Sequence, residues 1–151
     1  MQQPLITLVL NALLLAGLSH PAFGKDLSFE YQNTRFEIRW ISSFNVEQER
    51  KLQRWIKHAA RSLHQLNGRL PRKAIRIEIQ ATASNKAVPF AQVIRERPQG
   101  VRFYVNPNRP LNEFKKDWTA IHELVHLYIP HPGQADVWLS EGLATYYQYL
   151  L

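Results

Sequence analysis

His122-Glu123-Leu124-Val125-His126, with Glu141 inside Trp138-Leu139-Ser140-Glu141-Gly142-Leu143-Ala144-Thr145-Tyr146-Tyr147, is the stretch on which the reading of this chain turns. In a helix, residues four apart lie one turn above each other, so the two imidazoles face the same side and can reach a single ion. Glu123, next to His122, can reach a water on such an ion without being a ligand itself. The chain has no cysteine, which leaves nitrogen and oxygen as the only strong protein donors.

Two imidazoles do not complete a metal site, because a catalytic zinc usually keeps three protein ligands and leaves the fourth position to water. Three residues downstream are candidates. His131 misses the metzincin spacing by one residue, since Ile129 and Pro132 occupy the positions where that spacing needs Gly and His. Asp136 precedes Val137-Trp138-Leu139 and reads as the N-cap of a final helix. Glu141 is the strongest of the three. With one helix ending near Pro130 and the next starting near Val137, His126 and Glu141 each lie four residues from the loop, or about 6 Å along the axis. Two antiparallel helices would then bring them level.

The pair of segments resembles the two active-site helices of gluzincin metallopeptidases, in particular the peptidase MA-like domains and the glycyl and other aminopeptidases of that clan. There HExxH is followed by a W-x-x-E-G-x-A-x-Y segment, and the likeness covers about residues 117–148. The resemblance implies zinc ligation by His122, His126 and Glu141, with Glu123 as general base in the hydrolysis of peptide bonds. It implies an α+β, thermolysin N-lobe type of fold: a mixed sheet, one packing helix and two antiparallel active-site helices. Val101–Val105 resembles the clan's substrate-binding edge strand. Tyr146, Tyr147 and Tyr149 follow the third ligand, where relatives often place the donor that steadies the oxyanion, but none is singled out.

This sequence departs from the family pattern in three places. Only 14 residues separate His126 from Glu141, which shortens the substrate side of the loop. Thr145 stands where some gluzincins use a carboxylate to orient a metal-bound histidine. The chain ends ten residues after Glu141 on Leu150-Leu151, which reads as a C-terminal truncation. On that reading an apolar face of Leu139, Leu143, Tyr146, Tyr147 and Leu150 would lack a full covering.

Upstream, the sequence reads as the scaffold for this site. Leu27–Gln32 and Arg35–Ile41 alternate as strands about Asn33-Thr34, with Phe36, Ile38 and Trp40 on one face. From Asn45, a plausible N-cap with Gln48 three residues on, Leu52, Trp55, Ile56, Ala59, Leu63 and Leu66 recur at helical spacing until Gly68 and Pro71. His58 and His64 are six residues apart on different faces of this helix and do not form a metal pair. Ile75, Ile77 and Ile79 alternate as a strand, and Phe90–Glu96 and Val101–Val105 form a second hairpin about Arg97-Pro98-Gln99-Gly100. The 151 residues suit one domain without repeats.

Residues 1–24 carry no Lys, Arg, Asp or Glu, and Leu5–Leu18 is almost wholly apolar. This run is shorter than the roughly 20 residues a transmembrane helix needs, and Ala22-Phe23-Gly24 offers small residues for cleavage. The expectation is a signal peptide over 1–24 and a mature metallopeptidase domain over 25–151, exported to the periplasm or outside the cell, with no transmembrane helix. The net charge of +7 is uneven: residues 25–109 hold 17 of the 19 Lys and Arg. These bases are scattered rather than clustered, so nucleic acid is not expected as a partner, and the expected substrate is a peptide or protein. The competing reading is a catalytically degenerate zinc-containing module, or a basic module that binds the cell envelope.

Overall fold

In a computed structural model, which describes residues 26–129 and 133–150, the chain is an α+β protein with a mixed five-stranded sheet and four helices. The expected signal peptide and His131 lie outside the described residues. β1 (Leu27–Tyr31) and β2 (Thr34–Trp40) form the first hairpin. Its turn is Gln32-Asn33, one residue earlier than the sequence suggested, and both residues have positive φ, 48° and 60°. That conformation suits the twist of a two-residue hairpin, and Asn is among the side chains that tolerate it. Phe36, Ile38 and Trp40 are buried as expected.

The helix α1 (Val46–Asn67) carries the capping box the sequence announces. The Asn45 side chain accepts from the Gln48 backbone, and the Gln48 side chain accepts from the Asn45 backbone. Gly68 closes the helix at φ 66°, where its N–H donates to His64 O. Between these caps Leu52, Trp55, Ile56, Ala59, Ala60 and Leu63 are buried. Trp55 packs against Phe103 and Phe114, with ring centroids 5.0 and 5.1 Å away.

β3 (Ala74–Ala81) lies parallel to β2, and β5 (Gly100–Val105) parallel to β3, while β4 (Phe90–Ile94) runs antiparallel along the outside of β5. The strand order is β1-β2-β3-β5-β4. Val101–Val105 is therefore an interior strand, paired on both sides, and the sheet edge on that side belongs to β4. Gly100 sits where an added Cβ would lie 1.8 Å from Arg76 O, so the β3–β5 approach at this point excludes any side chain.

The helices cover one face of the sheet. The other is polar: Arg39, Arg76 and Arg102 gather around the buried Glu78 carboxylate, with Arg102 Nη2 only 2.6 Å from it. The remaining helices are α2 (Leu111–Lys116), α3 (Thr119–Val125) and α4 (Val137–Tyr149), the last entered through a 3₁₀ turn at Gln134–Asp136. Among the described residues, no helix is long and apolar enough to cross a membrane.

Candidate metal centre

α3 is shorter than its sequence suggests. Its first turn is steadied by Asp117, whose carboxylate accepts the Thr119 N–H at 2.9 Å. Its helical residues stop at Val125, so His126, whose N–H still donates to His122 O, is the C-cap and not a residue well inside a helix running to Pro130. The next turn tightens, with Leu127 N–H donating to Leu124 O and Tyr128 N–H to Val125 O. These three-residue spacings are the usual way a helix end satisfies its last carbonyls. The Tyr128 hydroxyl then donates to Arg69 O at 2.6 Å, tying this exit to the segment between α1 and β3.

His122 and His126 remain one turn apart and both are buried, with their rings 4.9 Å apart edge to face. α4 packs against α3 and brings Glu141 to them: Glu141 Oε2 is 3.1 Å from His122 Nε2, and Oε1 is 3.5 Å from His126 Nε2. Ligand atoms of the three residues all lie within 4.8 Å of one another, a group that could hold a metal ion. Asp136 stands at the N-cap of α4, exposed and without a side-chain capping bond, and is outside the group. His58 and His64 belong to α1; His64 meets Tyr31 edge to face, and neither joins the cluster.

The far side of each imidazole is also occupied. His122 Nδ1 is 2.9 Å from Gln148 Oε1, and His126 Nδ1 is 2.9 Å from Ser140 Oγ. With the Gln148 amide oxygen as acceptor, Nδ1 is the donor, and a neutral ring in that tautomer has its lone pair on Nε2. That lone pair faces a carboxylate oxygen at 3.1 Å. Two acceptors this close need a cation between them, either a proton or a metal. The two histidines meet different oxygens of the Glu141 carboxylate, so both arms of that group turn toward the pair of Nε2 atoms. The role the sequence offered to position 145 falls elsewhere: Thr145 is exposed, and Gln148 and Ser140 hold the rings.

Burial pushes His126 below the ordinary imidazole value, toward the neutral ring that binds metal; Glu141 opposes this, while His122 and Arg95 add to it. Burial likewise holds the Glu123 carboxyl above the usual carboxylate range, against the opposing charges of His122 and Arg95. Glu123 lies between two cavities. One, of about 530 Å³, is lined by residues 85–91 and by Lys116, Asp117, Trp118 and Thr119. The other, of about 220 Å³, is lined by Val93, Arg95, His126, Val137, Ser140 and Glu141. Phe90 and Ala91 line the first and Val93 the second, so β4 runs past Glu123 from one to the other.

Neither cavity is lined by Tyr146, Tyr147 or Tyr149, the three tyrosines left open as oxyanion donors. Tyr147 packs against the core, and Tyr146 and Tyr149 are exposed. The apolar side of α4 is largely outward as well: only Ser140 and Ala144 are buried, and Trp138 and Leu139 are exposed with Leu150. Among the described residues, every buried side-chain nitrogen and oxygen has a hydrogen-bond partner. No protein-family model matches the chain, and no curated protein matches it.

Proposed function

We propose that the chain is a zinc-dependent metallopeptidase of gluzincin type. The observation that supports this most directly is the convergence of His122, His126 and Glu141, whose ligand atoms lie within 4.8 Å of one another, with Glu123 between two open cavities. Zinc held by His122, His126 and Glu141 would supply a Lewis acid that acidifies a coordinated water and polarises a carbonyl.

The chain's own groups do the rest. Glu123 takes the proton of the attacking water and returns it to the leaving amine, and its partly buried position raises its proton affinity for that task. Gln148 and Ser140 keep both Nε2 atoms turned inward. The outer edge of β4, which no described strand covers, offers backbone groups to an extended peptide, with side chains entering the cavities on either side of Glu123.

The test uses the purified protein. One zinc per chain is expected by elemental analysis, and Glu141→Ala should lose it. Glu123→Gln should keep the zinc and lose about 10² to 10⁴-fold in peptide hydrolysis, because an amide cannot accept the proton. Full zinc content in Glu141→Ala would remove the third ligand. Zinc binding by the wild type without hydrolysis of any peptide would favour the degenerate binding module.

A further inference from the structure

Among the described residues, the cavity of about 220 Å³ beside the His122, His126 and Glu141 group contains one permanent cation, Arg95, at the residue after β4 ends. Its side chain is half-buried, and its one side-chain hydrogen bond among the described residues is a loose one, Nη1 to His126 O at 3.4 Å. It makes no ion pair with any described residue, whereas the Arg39, Arg76 and Arg102 guanidiniums all face Glu78. A guanidinium has five N–H donors, so most of this one is uncommitted while facing a site where Glu123 and Glu141 are already present.

We propose that Arg95 is a substrate-binding residue that receives a carboxylate lying close to the scissile bond. This rests on the peptidase reading for where the substrate lies. The planar fork matches the two oxygens of a carboxylate, a better use of its geometry than a single oxyanion. Its placement agrees. Arg95 also lines a second cavity of about 550 Å³ that leads away from the cluster along Arg76 and Arg102, so the guanidinium stands beside the reaction centre on the side that continues into basic surface. Two acids line that stretch. Glu78 is engaged by its three arginines, and Glu96 is exposed and makes no ion pair among the described residues. The carboxylate can be a peptide's C-terminus or an acidic side chain, because both present the same two oxygens.

Binding separates these sources without relying on turnover. The zinc-loaded full chain with Glu123→Gln is titrated calorimetrically with four probes. Two are an alanine tetrapeptide with a free C-terminus and its C-terminal amide, both acetylated. The others are doubly capped pentapeptides with aspartate or asparagine in the middle. One carboxylate probe should bind about tenfold to a hundredfold tighter than its neutral twin, the usual span for a hydrogen bond to a charged group. The pair that differs identifies the source. Arg95→Met should abolish the difference and leave the neutral probes unchanged, and Arg95→Lys should keep part of it; zinc content and melting temperature confirm an intact fold.

Equal affinities within both pairs, a preference that survives Arg95→Met, or no binding by any probe would overturn the proposal. Wild-type hydrolysis is measured separately. Carboxylate-selective binding without hydrolysis removes the peptidase reading and keeps Arg95 as a carboxylate site; hydrolysis indifferent to the carboxylate does the reverse.

Discussion

The half of the molecule formed by the sheet and α1 and the half formed by α3 and α4 are built on different physics. In the first, a 22-residue helix capped at both ends lays six buried side chains on strands whose inward residues are almost all Phe, Ile, Val or Trp. In the second, α3 has seven residues and ends on a metal-ligand candidate, and the buried groups include His122, His126 and Ser140. There α4 leaves Trp138 71% and Tyr149 81% exposed. Apolar burial orders the first half, since each large buried side chain contributes about 1.5–3 kcal/mol. The second half shares that core through Ala120, Leu124, Val125, Leu127 and Ala144, but adds buried polar contacts around two imidazoles. The scaffold should therefore fold without the site, while the placement of the site's side chains depends on its hydrogen bonds.

The largest expected effect lies in the scaffold. Trp55→Ala removes the ring that joins α1 to Phe103 and Phe114, and should cost about 3–5 kcal/mol in denaturant unfolding. Any variant protein that remains folded should bind zinc at full stoichiometry. A Trp55→Ala protein of unchanged stability would dissolve the contrast between the two halves.

An intermediate effect is expected at the site. Gln148→Leu and Ser140→Ala each remove the group that fixes one imidazole, and each should weaken metal affinity about 10 to 100-fold. Their metal-free melting temperatures should fall less than that of Trp55→Ala, because each loses one side-chain hydrogen bond and no large apolar side chain. Competition with a chelator of known affinity gives the first quantity and thermal unfolding the second. Unchanged affinity in both variants would mean that the rings are held by the fold alone.

The smallest effect sharpens the scaffold side. Asn45→Ala deletes one arm of the capping box and should cost about 1 kcal/mol, with no change in metal affinity. A loss of metal affinity in that variant would show that the far end of α1 is coupled to α3.

What could be read from the sequence follows the same division. α1 was legible because Leu52, Trp55, Ile56, Ala59 and Leu63 repeat at 3.6 residues between a polar cap and a glycine, all local signals. The candidate ligands were legible because His122 and His126 are fixed by helical spacing and Glu141 sits in a motif of its own. The end of α3 was not, because no glycine or proline marks Val125 and the tightening at Leu127 and Tyr128 is set by tertiary contacts. Gln148, 26 residues from His122, and Arg95, 31 from His126, come to the site only through packing. In sequence, Arg95 is one base among many scattered ones. The edge strand was misplaced because Phe90–Ile94 and Val101–Val105 are both short apolar runs, and strand order is not encoded in either.

Glu78 stands directly opposite Arg39 of β2 and Arg102 of β5, and shares its carboxylate with Arg76 of its own strand. The arrangement works as a register key. Slip β3 by one residue and Glu78, with Arg76, would turn to the face where Ile77 and Ile79 now pack, stranding a carboxylate on the apolar side and leaving Arg39 and Arg102 without their shared partner. A single charge thus aligns three parallel strands at once. Because β5 carries β4 beside it, the same key sets how far along the cleft the β4 edge and Arg95 are held.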